Sequence, residues 1–322
     1  MFSKLGIENE AQAKEIVDAL KGAEYKVIAV TKKEKNKYSP APFTTSTLQQ
    51  AAGQKLGFTA KRTMMVAQQL YEGIELGAEG QTGLITYMRT DSLNLAAQAV
   101  QAARDFIGAE YGKEYLPEKP TFFKTRSKGA QEAHEAIRPT NPGTHPDKIR
   151  EHLTPEQYKL YSLIWSRMIA CQMMPAKTDA TTVDISAKNF VFRASGSIIT
   201  FDGYLRAYND VGSGMKNKDV ILPPLKEGDI CDFKNLKHEQ HFTQPPARYN
   251  EASLVKTLEE LGIGRPSTYA PIMSTIQDRG YVEKEDKKFK PTEIGTLVNK
   301  ILVEHFADVV DYKFTADMEQ SL

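Results

Sequence analysis

The chain has 322 residues, 40% hydrophobic and 26% charged, enough for two or three domains with a sizeable core. Its 42 basic and 41 acidic side chains leave a net charge of +1, which excludes a globally basic chain and confines any nucleic-acid surface to a local patch. Two cysteines far apart, Cys171 and Cys231, exclude a disulfide framework and a zinc ribbon, and no apolar run reaches the roughly 18 residues that suggest a membrane span.

No signal peptide precedes Gly6, so a reducing, cytoplasmic compartment is expected. Helical spacing runs over residues 8–21, and Tyr25–Val30 alternates as a strand. Lys32–Lys37 reads as a charged, solvated turn rather than a functional basic patch. Thr44–Ser46 offers a cap for a helix from Thr47 to Leu56, stopped by Gly57. A second helix is predicted over about 60–72, with Met64 and Met65 as core and Gln68 and Glu72 four apart on one face.

Next comes GLITYMRTDSLNLA, Gly83 to Ala96. The apolar run Leu84–Met88 predicts a strand, the cluster Arg89–Ser92 a tight turn, and Ala96–Ile107 a helix, with Asp91 or Ser92 as its cap. Tyrosine in a strand usually packs, and there are 14 tyrosines here. Here, however, Tyr87 would stand beside a guanidinium, two hydroxyls and a helix N-terminus, each able to hold a phosphate oxygen. Tyr87 is therefore the candidate nucleophile towards a phosphodiester. Its hydroxyl, with an ordinary pKa of about 10, needs a nearby cation, and Arg89 is the closest in sequence.

Beyond a proline-rich connection at Leu116–Pro120, residues 132–140 read EAHEAIRPT. Helical spacing puts Ala133, Ala136 and Ile137 on an apolar side, with His134 and Arg138 as phosphate donors on the other. A helix over 154–174 is capped by Thr154, with Pro155 in its first turn. From Ala180 to about Phe233 the period becomes two, an antiparallel β region, and Gly212–Asp219 reads as a mobile loop. His238 and His241 lack a third ligand nearby, so no metal site is assigned. Asn250 or Ser253 begins a helix, and Gly262-Ile263-Gly264 turns the chain. Arg265, Ser267 and Thr268 sit at the N-terminus of another helix, which Arg279 closes, and a hairpin carries Glu283–Lys290. Helix, turn, helix and β-wing is a winged-helix DNA-binding pattern. The final residues, FTADMEQSL, read as a helix cut short, so the chain is expected to be a piece of a longer protein.

ITYMRTDS resembles the active-site signature of type IA DNA topoisomerases of the bacterial kind. EAHEAIRPT, the upstream PAPFTTSTLQQAA (Pro40–Ala52), PPARYN and LGIGRPSTYAPIMSTIQDRGYV are similar to the same family, in one colinear order from about residue 25 onwards. The resemblance implies an α+β multidomain fold: a ring-shaped core with a β-rich arch, an inserted helical domain carrying the tyrosine, and a winged-helix-like C-terminal domain. The division expected is a lead-in helix at 1–24, an arch from 25–46 plus 168–244, a tyrosine domain at 47–167 and a DNA-binding domain at 245–322.

The resemblance also implies a mechanism: ATP-independent breakage of single-stranded DNA through a 5′-phosphotyrosine link, strand passage and rejoining, relaxing negatively supercoiled DNA. Tyr87, Arg89 and His134 would be catalytic, while Gln68, Glu72, Arg138, Arg265, Ser267, Thr268 and Arg279 would contact DNA. The family's Mg2+ is bound by a Toprim domain, and no D-x-D pair of that kind occurs here, so the metal is expected outside this chain. A cytoplasmic, nucleoid-associated monomer is the remaining expectation. Tyrosine recombinases place the tyrosine after an R…H-x-x-R cluster, whereas Tyr87 precedes its H-x-x-x-R, and relaxases want paired histidines. A non-catalytic winged-helix scaffold is the alternative.

Overall fold

The structure, a computed structural model, describes residues 6–77, 80–124, 134–208 and 222–321. The expected loop at Gly212–Asp219, and Ala133 of the EAHEAIRPT stretch, lie outside the described residues. The first elements in chain order are α1 (Glu10–Ala19), β1 (Tyr25–Lys37), α2 (Thr45–Lys55), α3 (Ala60–Glu72), β2 (Ile74–Glu75), β3 (Gln81–Thr82) and α4 (Ala97–Glu110). Then come α5 (Pro155–Cys171), β4 (Ala176–Ala187), β5 (Phe190–Phe201), α6 (Leu205–Tyr208) and β6 (Ile230–Cys231). The last are α7 (Glu251–Glu260), α8 (Tyr269–Asp278), β7 (Val282–Glu285), β8 (Lys288–Pro291), α9 (Glu293–His305) and α10 (Tyr312–Ser321).

The chain divides into two compact units. The first, Met1–Lys37, Pro175–Asp202 and Met215–Pro246, is built on an antiparallel sheet of order β5-β4-β1-β6. Val27 and Val183 are buried in the sheet, and Tyr25 stacks on Phe233 at 5.3 Å. The charged turn expected at Lys32–Lys37 is instead the second half of β1, paired residue by residue with β4 from Lys32↔Thr181 to Lys37↔Ala176. Main-chain ladder bonds outweigh the low strand preference of lysine, and both faces here are wet enough for charged side chains. The runs expected separately at Phe190–Arg193 and Ser197–Phe201 are one strand, β5.

The second unit, Tyr38–Met174, Gly203–Gly214 and Ala247–Leu322, has α5 at its centre. Thr154 and Gln157 close a capping box, Pro155 fills the first turn, and Leu160, Tyr161, Leu163, Ile164 and Ile169 are fully buried. Thr44, the first of the cap residues read from sequence, caps α2 with its own box through Thr47, so the helix starts at Thr45, two residues before the expected Thr47. Val255 of α7, Tyr269 and Met273 of α8 and Phe289 of β8 share a core cluster with Ala60, the first residue of α3. Glu251 adds a carboxylate that accepts from the Ala60 N–H at 2.6 Å. Gly53 lets α2 and α7 approach, since a Cβ there would meet the Ala252 Cβ at 3.2 Å. Gly262 and Gly264 turn the chain between α7 and α8 at φ +74° and +87°, a region that side chains rarely adopt.

The short α6 is held by cations. Arg167 donates to the Tyr208 hydroxyl and to Ala41 O (3.1 Å), and its guanidinium lies 4.1 Å over the Phe43 ring. The Lys55 ammonium lies 3.8 Å over the Tyr208 ring. Partial burial, with the nearby Arg167 charge, pushes the Lys55 ammonium down to about 8. A lysine depressed in the native state holds fewer protons there than in the unfolded chain between about pH 8 and its ordinary pKa of about 10.4. Stability contributed by this group is therefore lowest below pH 8 and rises with pH across that window. In urea titrations the difference in midpoint between the native chain and Lys55→Met should shrink as pH rises from 7.5 to 10; a constant difference would contradict the cation-pair account.

Candidate active site

Tyr87 sits in a segment with almost no regular secondary structure, contrary to the strand expected over Leu84–Met88. Only Ile85 makes a β-bridge, to Pro139. The segment is held by cross-links from distant residues. Leu84 N–H donates to Leu70 O (2.8 Å), and Thr140 N–H donates to Leu84 O (3.0 Å). Thr86 N–H donates to Arg138 O (2.9 Å), while the Thr86 hydroxyl donates to Ala136 O (2.7 Å) and accepts from Arg138 N–H (3.0 Å). On the far side of Tyr87, the Thr45 hydroxyl donates to Met88 O (2.7 Å) and accepts from Thr90 N–H (2.8 Å), and Thr45 N–H donates to Thr90 O (2.8 Å). Thr45 is the first residue of α2 and is wholly buried.

These bonds turn one side chain outward and its neighbours inward. Ile85 and Met88 are buried, whereas Tyr87 is 45% exposed, its ring meeting that of Tyr71 edge-on at 5.4 Å. Thr90 and Ser92, expected to face a phosphate, are buried and spent on local turns: the Thr90 hydroxyl accepts from Ser92 N–H, and the Ser92 hydroxyl from Asn94 N–H. Neither Asp91 nor Ser92 caps a helix. α4 starts at Ala97, with Ala96 as a cap that makes no side-chain hydrogen bond.

A cleft of about 310 Å³ is lined by Tyr87, Arg89, Thr90, Asp91, His134, Pro266 and Ser267. The sequence-read nucleophile, its nearest arginine, the EAHEAIRPT histidine and the serine ahead of α8 thus meet, from three separate stretches. The helix N-terminus that borders the cleft belongs to α8, not to α4, because the Pro266–Ser267 pair precedes its first residue, Tyr269. Arg89 is exposed, His134 half-buried, and neither is ion-paired among the described residues. Asp91, read from sequence as a helix cap, supplies the one carboxylate among the lining residues.

Other expected site residues are placed differently. Residues 134–139 are extended rather than helical: Ile137 bridges Phe43, and Pro139 bridges Ile85. Pairing with the tyrosine segment satisfies the backbone groups that a helix would have paired internally. Arg138 is only 11% exposed and gives its guanidinium to Glu135 (2.6 Å) and to Pro139 O (3.0 Å), so it does not line the cleft. Gln68 donates to Glu72 at 2.7 Å on the exposed side of α3, the helix that also carries Tyr71. Arg265 is paired with Glu319 at 3.0 Å. Thr268 closes a turn on Arg265, its hydroxyl accepting from Arg265 N–H at 2.7 Å, and Arg279 ends α8 in solvent. Tyr71, read from sequence only as part of α3, meets the Tyr87 ring from a place three residues after Gln68, and no local signal marks that contact.

A family model described as DNA topoisomerase matches residues 2–322. The chain belongs to the type IA DNA topoisomerase family. It is 49% identical over 321 residues to a DNA topoisomerase 1 of Campylobacter jejuni, covering 100% of this chain and 45% of that protein. It is 48% identical over 324 residues to one from Rickettsia felis, covering 42% of it. Full-length topoisomerase I of Thermotoga maritima superposes with a TM-score of 0.86 at 37% identity, over 100% of this chain and 51% of that one. The chain therefore spans less than half the length of these two curated relatives.

Type IA topoisomerases imply magnesium. Among the described residues no group of three or more His, Cys, Asp or Glu side chains is gathered as a metal would need, so the described residues do not fit the ion. His238 and His241 are exposed, and His241 faces Glu239 at 3.5 Å. No helix among the described residues is long and apolar enough to cross a membrane.

The clamp on the tyrosine segment can be tested directly. Thr45→Val keeps the shape of the side chain but leaves the Thr90 N–H buried without its partner. It should cost about 1–3 kcal/mol in urea unfolding and speed amide exchange at residues 88–90. Unchanged exchange there would remove Thr45 from the support of the cleft.

Proposed function

We propose that the chain supplies the nucleophile and strand-binding cleft of an enzyme that breaks, passes and rejoins single-stranded DNA. The observation that supports this most is the gathering of Tyr87, Arg89, His134 and Ser267 around one cleft. Tyr87 gives up its hydroxyl proton to solvent, and its oxygen attacks the phosphorus of a phosphodiester. A Tyr87 O–P bond forms, the P–O3′ bond breaks, and the strand is left as a 5′-phosphotyrosine with a free 3′ end. Arg89 offers a planar fork to the non-bridging oxygens, and His134, when protonated, adds a second donor as charge builds on them. The hydroxyl of Ser267 and the N-terminus of α8 favour the neighbouring phosphate. The 3′-hydroxyl then attacks the tyrosyl ester and restores the original bond. One ester is exchanged for another, so no ATP is consumed. Asp91, the one carboxylate among the lining residues, opposes entry of a second phosphate.

In this reading the acid that protonates the leaving 3′ oxygen, and the magnesium site, belong to the Toprim portion of the longer family members. Negatively supercoiled DNA, which opens locally into single strands, is the substrate. Residues 25–46 and 168–244 form the arch, 47–167 the tyrosine domain, and 245–322 a winged-helix-like DNA-binding domain that contributes Ser267. Gln68 and Glu72 flank the strand beside Tyr71, and Thr268 and Arg279 contact phosphates. Arg138 and Arg265 contact DNA only if they leave Glu135 and Glu319. The protein acts as a cytoplasmic monomer at the nucleoid.

Covalent trapping tests the proposal. The chain is mixed with a labelled single-stranded oligonucleotide and Mg2+, with and without a Toprim-containing fragment of a relative, and then denatured. An adduct that requires the fragment and disappears in Tyr87→Phe, with strand binding retained, is the expected result. Intact strand binding without any adduct would sink the nucleophile assignment and leave a DNA-binding scaffold.

A further inference from the structure

The second half of β1 carries a basic run that the proposed cleft does not use. In a strand, alternate residues share a face. Lys33, Lys35 and Lys37 therefore project on one side of the sheet, and Lys32, Glu34 and Asn36 on the other. The register extends each face onto β4 and β5. On the Lys32 face stand Lys177 and Asp179 of β4, opposite Asn36 and Glu34, and Lys177 pairs with Glu34 at 3.6 Å. That face is balanced in charge.

The other face is not. Opposite Lys33, Lys35 and Lys37 stand Ala180, Thr178 and Ala176, and beyond them on β5 stand Ser197 and Ile199. No carboxylate occurs among these positions. Asp184, further along the same face, is neutralised by Arg193 through two hydrogen bonds of 2.7 and 2.8 Å. All three lysines are exposed and none is ion-paired among the described residues. Lysines also keep an edge strand from pairing with another chain, and β6 reaches only Tyr25 and Lys26 of β1. That role needs no particular face, whereas here the uncompensated charge is confined to one.

We propose that this sheet face is a docking surface for the phosphate backbone of duplex DNA. Charge complementarity selects a polyanion. Strand geometry spaces the lysines by about 6.8 Å, so the three span about 14 Å. Duplex DNA presents a charge about every 1.7 Å of its axis, and flexible lysines at that spacing always find one. The neighbouring positions offer methyls and hydroxyls instead of rings on which bases could stack, which favours a duplex over a single strand. The surface is sequence-indifferent and shares no residue with the Tyr87 cleft. It rests on the proposed DNA substrate.

The test is the salt dependence of duplex binding by the whole chain, read by fluorescence anisotropy. Lys33→Gln/Lys35→Gln/Lys37→Gln should reduce the slope of log K against log salt by up to about 2.7, at about 0.9 per lysine. Binding of a single-stranded oligonucleotide should be unaffected. Lys32→Gln/Lys177→Gln, on the opposite face, serves as the control and should leave the duplex slope unchanged. An unchanged slope in the triple variant, or an equal loss per lysine in the control, overturns the surface. Trapping with Tyr87→Phe in parallel separates the two proposals: a lysine-dependent slope without any adduct keeps the surface and sinks strand cleavage. An adduct with an unchanged slope does the reverse.

Discussion

The hydroxyl of Thr45, donating to Met88 O and accepting from Thr90 N–H, is the bond on which the candidate site depends. The segment around Tyr87 has no ladder or helix of its own, so its buried backbone groups must find partners elsewhere. Thr86 supplies them on one side through Ala136 and Arg138, and Thr45 on the other. Because Thr45 opens α2, the first turn of that helix locates Tyr87. The next residue, Ser46, donates to Glu259 of α7, and Gln50 donates to the same carboxylate at 3.2 Å. The turn that follows α7 leads into Pro266 and Ser267. One helix therefore holds both the tyrosine segment and the helix that leads to the other lip of the cleft.

Charge is distributed so that the cleft keeps cations that the rest of this unit does not consume. Arg138 and Arg265 are close in sequence to site residues, yet each is held by a carboxylate, Glu135 and Glu319 respectively. Freeing a partly buried arginine leaves a carboxylate unpaired, a cost that phosphate binding must first offset. Arg89 carries no such cost. Its neighbour Asp91 keeps the cleft from being uniformly positive. Arg167 and Lys55 illustrate the opposite use: their charges are invested in rings, holding α6 in place.

Much of this was legible in the sequence wherever the signal is local. Capping boxes at Thr154 and Asn250, prolines in first turns, and glycines that end or join helices mark boundaries through bonds made within a few residues. The motif residues Tyr87, Arg89 and His134, which line one cleft, stand out in the sequence because side-chain chemistry and spacing are properties of the chain. Where the reading failed, the partner was remote. EAHEAIRPT has helical spacing and is extended, because Phe43, Ile85 and Thr86 satisfy its backbone. Lys32–Lys37 has the composition of a turn and is a strand, because β4 pairs with it.

By itself, then, the sequence determined which groups are available: a tyrosine with an arginine two residues on, a histidine in a second motif, a serine before a helix, and helices whose ends are written in their caps. Only the tertiary structure decided which of those groups share a cleft, which cations are already spent on carboxylates, and that α8 rather than α4 presents its N-terminus there. Caps and turns are short-range bonds, fixed by neighbours in the chain. Convergence of Tyr87, His134 and Ser267 needs hydrogen bonds between residues tens of positions apart, and no local pattern encodes them.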